Sequence, residues 1–87
     1  VLVMEDDGGQ DEKILAVPVT KTHPMFSSVE EYSDLPQILL DEIEHFFTHY
    51  KDLEKGKWVK MKGWEGSEKA KELLREGIER EKTQKAA

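Results

Sequence analysis

The stretch from His45 to Trp64, HFFTHYKDLEKGKWVKMKGW, decides the fold that the sequence predicts. It begins as an apolar helical pattern, turns through EKGK at positions 54–57, and returns as an alternating strand. It also places Tyr50 and Lys51 side by side at the predicted helix C-terminus, where the helix macrodipole favours cations. An aromatic hydroxyl and an ammonium group at this position are suited to binding an anion, although a tyrosine and a lysine also end many helices without ligands.

The predicted helix starts upstream of this stretch, near Asp34. Asp34 and Gln37 form a capping-box pattern, and Pro36 falls in the first turn, where its missing N–H does no harm. Apolar residues recur at helical spacing and predict a core face of Leu35, Leu39, Ile43, Phe46 and Tyr50, widened by Ile38, Leu40 and Phe47.

A strand is predicted from Trp58 to Trp64, where side chains alternate. Val59, Met61 and Gly63 face the core in this pattern, and Trp58, Lys60, Lys62 and Trp64 share the outer face. Ser67 is predicted to cap a second helix that frays beyond Lys82 and leaves 83–87 as a disordered tail.

Two more strands are predicted near the start of the chain, at 1–4 and 14–19. They are separated by a long charged loop that contains two adjacent glycines, and they form a hairpin. The apolar start at Val1 resembles a strand cut from something longer, and such a strand needs partners. The sequence therefore predicts an α+β fold with the element order β-β-α-β-α.

Composition limits the functional classes. The 87 residues make one domain with a thin core, and the formal net charge of −6 argues against a nucleic-acid binder. Cysteine is absent, which excludes disulfides and thiolate metal sites. The sequence shows no signal peptide or membrane span, so a cytoplasmic protein without a membrane partner is expected.

The charged loop offers candidate ligands for a hard cation. Asp6, Asp7 and Asp11 lie around the glycines, and carboxylate oxygens are the ligands that Mg²⁺ prefers. Lys13 follows and either reaches an anion beside that cation or pairs with Asp11 at the surface. A solvated hairpin tip is the alternative interpretation of the whole loop.

Two other patterns are open to functional interpretations. His45 and His49 are four residues apart on one helix face and could bind zinc, or could simply be solvated. Trp58 and Trp64 could serve as the core of a protein interface, because aromatic residues are enriched there.

The stretch HYKDLEKGKWVK, residues 49–60, strongly resembles the C-terminal half of the family I soluble inorganic pyrophosphatases of bacterial type. The resemblance continues through Asp34-Leu35-Pro36 and through MEDDGGQDEKILAVP at 4–18, so it covers nearly the whole chain. It implies hydrolysis of pyrophosphate to two phosphates by metal-activated water, with Mg²⁺ as cofactor.

The resemblance also implies roles for individual residues. Asp6 and Asp11 would bind metal, Lys13, Tyr50 and Lys51 would bind phosphate, and Asp6, Asp11 and Lys13 would form the catalytic set. Asp7 matches an acidic position of less certain role. The family's main aspartate motif and its other phosphate ligands would lie upstream of Val1, so we predict that the 87 residues alone are inactive.

The fold implied by the resemblance is a five-stranded OB-like barrel with flanking helices, assembled as a homohexamer. This chain would supply the later strands and both helices over 1–82. The alternative hypothesis is a non-catalytic α+β module that binds a protein partner through Trp58 and Trp64.

Overall fold

The computed structural model describes residues 1–19, 21–22 and 24–86. Within them, the order is β1 (Leu2–Asp6), β2 (Gly9–Gln10), α1 (Gln37–His49), β3 (Val59–Trp64) and α2 (Ser67–Ala86), with short 3-10 helices at Pro24–Phe26 and Tyr32–Asp34. The strands of these residues form one antiparallel sheet in the order β2-β1-β3. The predicted α+β class is confirmed. Three strands and two helices follow one another in the predicted order of types, but the second strand is Gly9–Gln10 and not the predicted 14–19.

The hairpin between β1 and β2 is much tighter than the predicted long loop. Glu5 pairs with Gln10 and Asp6 pairs with Gly9, so only Asp7 and Gly8 form the turn. The Asp6 carboxylate accepts the Gly8 N–H at 2.8 Å, which stabilises this turn. Asp-Gly between two strands is a strong hairpin signal, and it marks the turn in this sequence.

The predicted strand at 14–19 is not formed. Lys13 makes the last pairing with β1, through two hydrogen bonds of 2.9 Å with the backbone of Leu2. Residues 14–19 belong to no strand of the described structure. Apolar and β-branched composition predicted a strand, but composition does not show whether a neighbouring strand is available to pair with it.

The pairing of β1 with β3 contains a bulge. Val3 lies opposite Gly63 and Met4 lies opposite Met61, so Lys62 is the extra residue of β3. Gly63 takes a φ of 116°, which favours glycine. The bulge shifts the side-chain alternation by one residue.

One predicted side-chain position changes as a result. Trp64 pairs with Leu2 and therefore lies on the same face as Met61, not on the lysine face that strict alternation predicted. It is half-buried and stacks on Tyr32, with ring centroids 5.8 Å apart.

Helix α1 begins after Pro36, three residues later than predicted. Asp34 belongs to the preceding 3-10 helix, and its carboxylate accepts the N–H groups of Glu30 and Glu31 at 3.0 Å, so it does not cap α1. Proline at 36 disfavours helical geometry at the preceding residue, which separates the two helical turns.

The buried face of α1 also differs from the predicted one. Leu40 is 2% exposed, and Ile43 and Phe47 are half-buried, whereas Phe46 is 59% exposed. The helix is apolar on more than one face, so its periodicity could not identify which face would meet the sheet.

Helix α2 runs to Ala86, beyond the predicted fraying at Lys82. The predicted tail at 83–87 is therefore helical through 86, and Ala87 lies outside the described residues. Ser67 does not act as the predicted cap. The Glu31 carboxylate accepts both its N–H, at 2.9 Å, and its hydroxyl, so a residue distant in sequence satisfies the first turn of α2.

The core is small, as the chain length predicted. Its buried apolar residues within the described ranges are Val1, Leu2, Met4, Leu35 and Leu40. They come from the start of the chain and β1, from the residue before Pro36, and from α1, which packs against β3 of the same sheet. In the described part of the chain, every helix is too short or too polar to cross a membrane.

Candidate active site

The end of α1 meets the hairpin turn. Lys51 follows the helix by two residues, and its Nζ lies 2.8 Å from Oδ2 of Asp6, which is 45 positions away in sequence. Both side chains are well covered, at 19% and 11% exposure. The fold therefore brings together one predicted phosphate ligand and one predicted metal ligand.

A second carboxylate and a second lysine extend this contact. Asp7 Oδ1 lies 3.5 Å from Lys51 Nζ, and Asp7 Oδ2 lies 3.1 Å from Lys57 Nζ. Lys57 follows Gly56, whose φ of 81° allows the chain to reverse between α1 and β3. We call the four residues Asp6, Asp7, Lys51 and Lys57 the charge network.

The other predicted pair, Asp11 and Lys13, forms beside the network. Lys13 Nζ lies 3.1 Å from the Asp11 carboxylate, so the surface pairing expected as an alternative is present. The same ammonium lies 5.3 Å from the centroid of the Phe47 ring on α1, which is within cation–π range.

Aromatic rings connect Lys13 and Lys51. Phe47 packs edge-on against Tyr50 with centroids 5.6 Å apart, and Lys51 Nζ lies 5.6 Å from the Tyr50 centroid. Lys13, Tyr50 and Lys51 are therefore linked through neighbouring contacts at the C-terminal end of α1. This is where the sequence predicted an anion site.

The ion pairs shift the pKa values of the residues in the charge network. The hydrogen bond from Lys51, aided by the Gly8 N–H, lowers the pKa of Asp6. The hydrogen bond from Lys57 lowers the pKa of Asp7 in the same way. The contact with Asp6 raises the pKa of Lys51, so these groups are charged at neutral pH.

The described residues include the type of ligand that a hard divalent cation prefers, but too few of them lie together to complete a metal site. Asp6 and Asp11 offer carboxylate oxygens, as Mg²⁺ requires. Each accepts a hydrogen bond from a lysine. Across the described ranges, no group of three or more histidine or acidic side chains is arranged to hold a metal. The described residues therefore bring together carboxylates for only part of a metal site.

The zinc hypothesis gains no support from the described residues. The rings of His45 and His49 are 4.6 Å apart, and Nδ1 of His49 lies 2.8 Å from an Asp52 carboxylate oxygen. These residues do not form a set of ligands for a metal ion.

Lys57 was missed by the sequence analysis, and Asp7 had no assigned partner. The available signals were local: Gly56 allows a reversal after α1, and Asp7-Gly8 marks a turn. Neither signal shows that the two turns approach each other.

Comparison with known proteins identifies the family. A family model described as inorganic pyrophosphatase matches residues 1–82. The chain is 62% identical over 84 residues to an inorganic pyrophosphatase of Agrobacterium fabrum, an alignment that covers 97% of this chain and 48% of the relative. It is 56% identical over 80 residues to one of Rickettsia felis, with coverages of 92% and 46%.

Solved structures of inorganic pyrophosphatases have a similar fold. The Helicobacter pylori inorganic pyrophosphatase superposes with a TM-score of 0.86 at 49% identity, over 90% of this chain and 46% of that one. The Coxiella burnetii enzyme gives 0.77 at 49% identity, over 82% and 42%. The chain thus spans about half the length of the relatives that it matches. The comparisons give no support to the partner-binding module.

Proposed function

The chain belongs to the inorganic pyrophosphatase family and corresponds to the C-terminal half of a family I enzyme, and from this we propose that it supplies one half of an active site that hydrolyses pyrophosphate to two phosphates. The observation that carries the proposal is the contact between Lys51 and Asp6, because it joins a helix end to a hairpin turn 45 positions away. Positive and negative groups are both needed to bind a metal-complexed anion.

In the proposed site, Lys51, Lys13 and Tyr50 bind phosphate oxygens. An ammonium group has three donors, so Lys51 retains two after donating to Asp6. Donors of this kind stabilise negative charge as it develops on the departing phosphate. Water attacks one phosphorus, the bond to the bridging oxygen breaks, and the second phosphate leaves.

Asp6 and Asp11 would hold the cation, which we propose to be Mg²⁺. When bound, Mg²⁺ neutralises phosphate charge and makes water more acidic. Each carboxylate also accepts a hydrogen bond from a lysine, Asp6 from Lys51 and Asp11 from Lys13, which holds its oxygens in place.

We further propose that the parent enzyme is cytoplasmic and homohexameric, with a five-stranded OB-like barrel. The described residues supply three strands, and three strands cannot close a barrel. Ile38 and Phe46 are 65% and 59% exposed on α1, as expected if further structure packs against this helix.

Phosphate release from pyrophosphate with Mg²⁺ tests the proposal. We expect no turnover by the 87 residues alone, and turnover when they are fused to the part of the Agrobacterium relative that they do not match. Lys51→Met in the fusion should greatly reduce activity, whereas Lys69→Met on α2 should not. A folded but inactive fusion, or full activity with Lys51→Met, would contradict the proposal.

A further inference from the structure

Asp7 lies between two lysines that arrive from the same turn. Its Oδ1 faces Lys51 at 3.5 Å and its Oδ2 faces Lys57 at 3.1 Å. The contact with Lys57 restrains the carboxylate so that its other oxygen remains directed at Lys51. Asp7 lies at the exposed hairpin turn, but its side chain is only 22% exposed.

Lys51 in turn lies between two carboxylates. Its shorter contact, 2.8 Å, is with Asp6, and its longer contact is with Asp7. If Asp6 turns toward a cation, as the proposed function requires, the shorter contact is weakened. The Asp7 contact then remains to hold the ammonium at the site.

We propose that Asp7, restrained by Lys57, is a positioning residue that keeps Lys51 at the phosphate site when Asp6 is engaged elsewhere. The inference rests on the proposed function for the roles of Asp6 and Lys51. Asp7 itself touches neither phosphate nor metal in this scheme.

A cycle of substitutions in the metal-free 87-residue chain tests the positioning role. The readout is the motion of the Lys51 side chain, measured by NMR at its Cε and Nζ. Asp6→Asn alone should leave Lys51 ordered, because Asp7 still holds it. Asp6→Asn combined with Asp7→Asn should free it. An ammonium that is already mobile in Asp6→Asn, or still ordered in the double variant, would overturn the inference.

Lys57 gives an independent approach to the same question. In the Asp6→Asn background, Lys57→Met should increase Lys51 motion and Lys57→Arg should restore order. The matched control is Lys62→Met, since Lys62 of β3 pairs with Glu5 of β1 at 3.2 Å, next to Asp6 in sequence. Equal effects of Lys57→Met and Lys62→Met would indicate a general loss of charge and would overturn the inference.

Titration with inorganic phosphate separates this inference from the proposed function. We expect phosphate to perturb Lys51 in the wild-type chain. In the Asp6→Asn background, where Asp7 alone holds Lys51, adding Asp7→Asn should weaken binding by about two- to fivefold, as for loss of one surface ion pair. No perturbation of Lys51 in the wild type would count against the proposed function, while the metal-free cycle would still decide the role of Asp7. Unchanged phosphate affinity when Asp7→Asn is added to Asp6→Asn would overturn the positioning role.

Discussion

The hairpin end of the molecule and helix α2 arrange their charges in different ways. At the hairpin end, Lys51 and Lys57 pair with aspartates 45 and 50 positions away. Along α2, lysines pair with glutamates three residues away in the same helix, as in Lys69–Glu72 at 3.8 Å. The first kind of pair exists only when the whole fold is formed, whereas the second needs only a helix. Charges that distant parts of the chain bring together are therefore the better candidates for function.

The largest expected difference between the two regions concerns stability. Met4 is fully buried in β1, and Met4→Ala should lower the free energy of unfolding by about 2–5 kcal/mol because it leaves a cavity. Leu74 on α2 is 49% exposed, so Leu74→Ala should cost less than about 1 kcal/mol. Urea unfolding of both variants measures this, and equal losses would show that α2 contributes to the core as much as β1 does.

Phosphate affinity should show the second-largest difference between the hairpin end and α2. Lys51→Met removes a charged donor of the charge network, and we expect phosphate affinity to fall about tenfold or more. Lys69→Met removes an equal charge from α2 and should leave affinity unchanged. Calorimetry at fixed ionic strength compares them. If both variants lose affinity equally, net charge, and not the site, governs binding.

The contact between Glu31 and the first turn of α2 should give a smaller, local effect on amide exchange. Glu31→Gln weakens the acceptor that satisfies the first turn of α2, so amide exchange at 67–70 should accelerate by about fivefold, as for loss of an N-terminal cap. Glu72→Gln, within α2, is the matched control and should leave these amides unchanged. Acceleration in both variants would mean that helix charge, and not the Glu31 contact, protects them.

The smallest expected effect is the pH dependence of the long-range pairs. Because Lys51 lowers the pKa of Asp6, their contribution to stability is present above the ordinary aspartate pKa of about 4 and is lost as pH falls through the lowered folded-state value. The raised pKa of Lys51 keeps the contribution present up to about pH 10. The stability difference between wild type and Lys51→Met should therefore shrink as the pH falls below about 4. A constant difference throughout this acid range would contradict this assignment.

Much of the fold followed from the sequence because its signals were local. Helical spacing predicted α1, alternation predicted β3, and the apolar start predicted β1. Features that depend on contacts between separate elements could not be predicted from the sequence. The bulge at Lys62 depends on how β3 meets β1, and strand formation at 14–19 depends on pairing with a neighbour, which composition does not specify.

The candidate site was likewise predictable only where its signals were local. Residue type and resemblance identified Asp6, Asp11, Lys13, Tyr50 and Lys51 as candidates, and the fold places them at one end of α1. Their roles in binding remain predictions. The pairing of Lys51 with Asp6, and the arrival of Lys57 at Asp7, depend on the approach of two turns that are far apart in sequence. Local pattern carries no signal for that approach.

The pairing of β1 with β3 also determines how the molecule can fold. The hairpin joins residues only a few positions apart, whereas Val1 meets Glu65 across 64 positions. Closing so long a loop is entropically costly and makes such contacts slow to form. During synthesis β1 cannot pair with β3 until the stretch up to Trp64 has left the ribosome. We therefore expect the charge network to assemble last, after the sheet has closed.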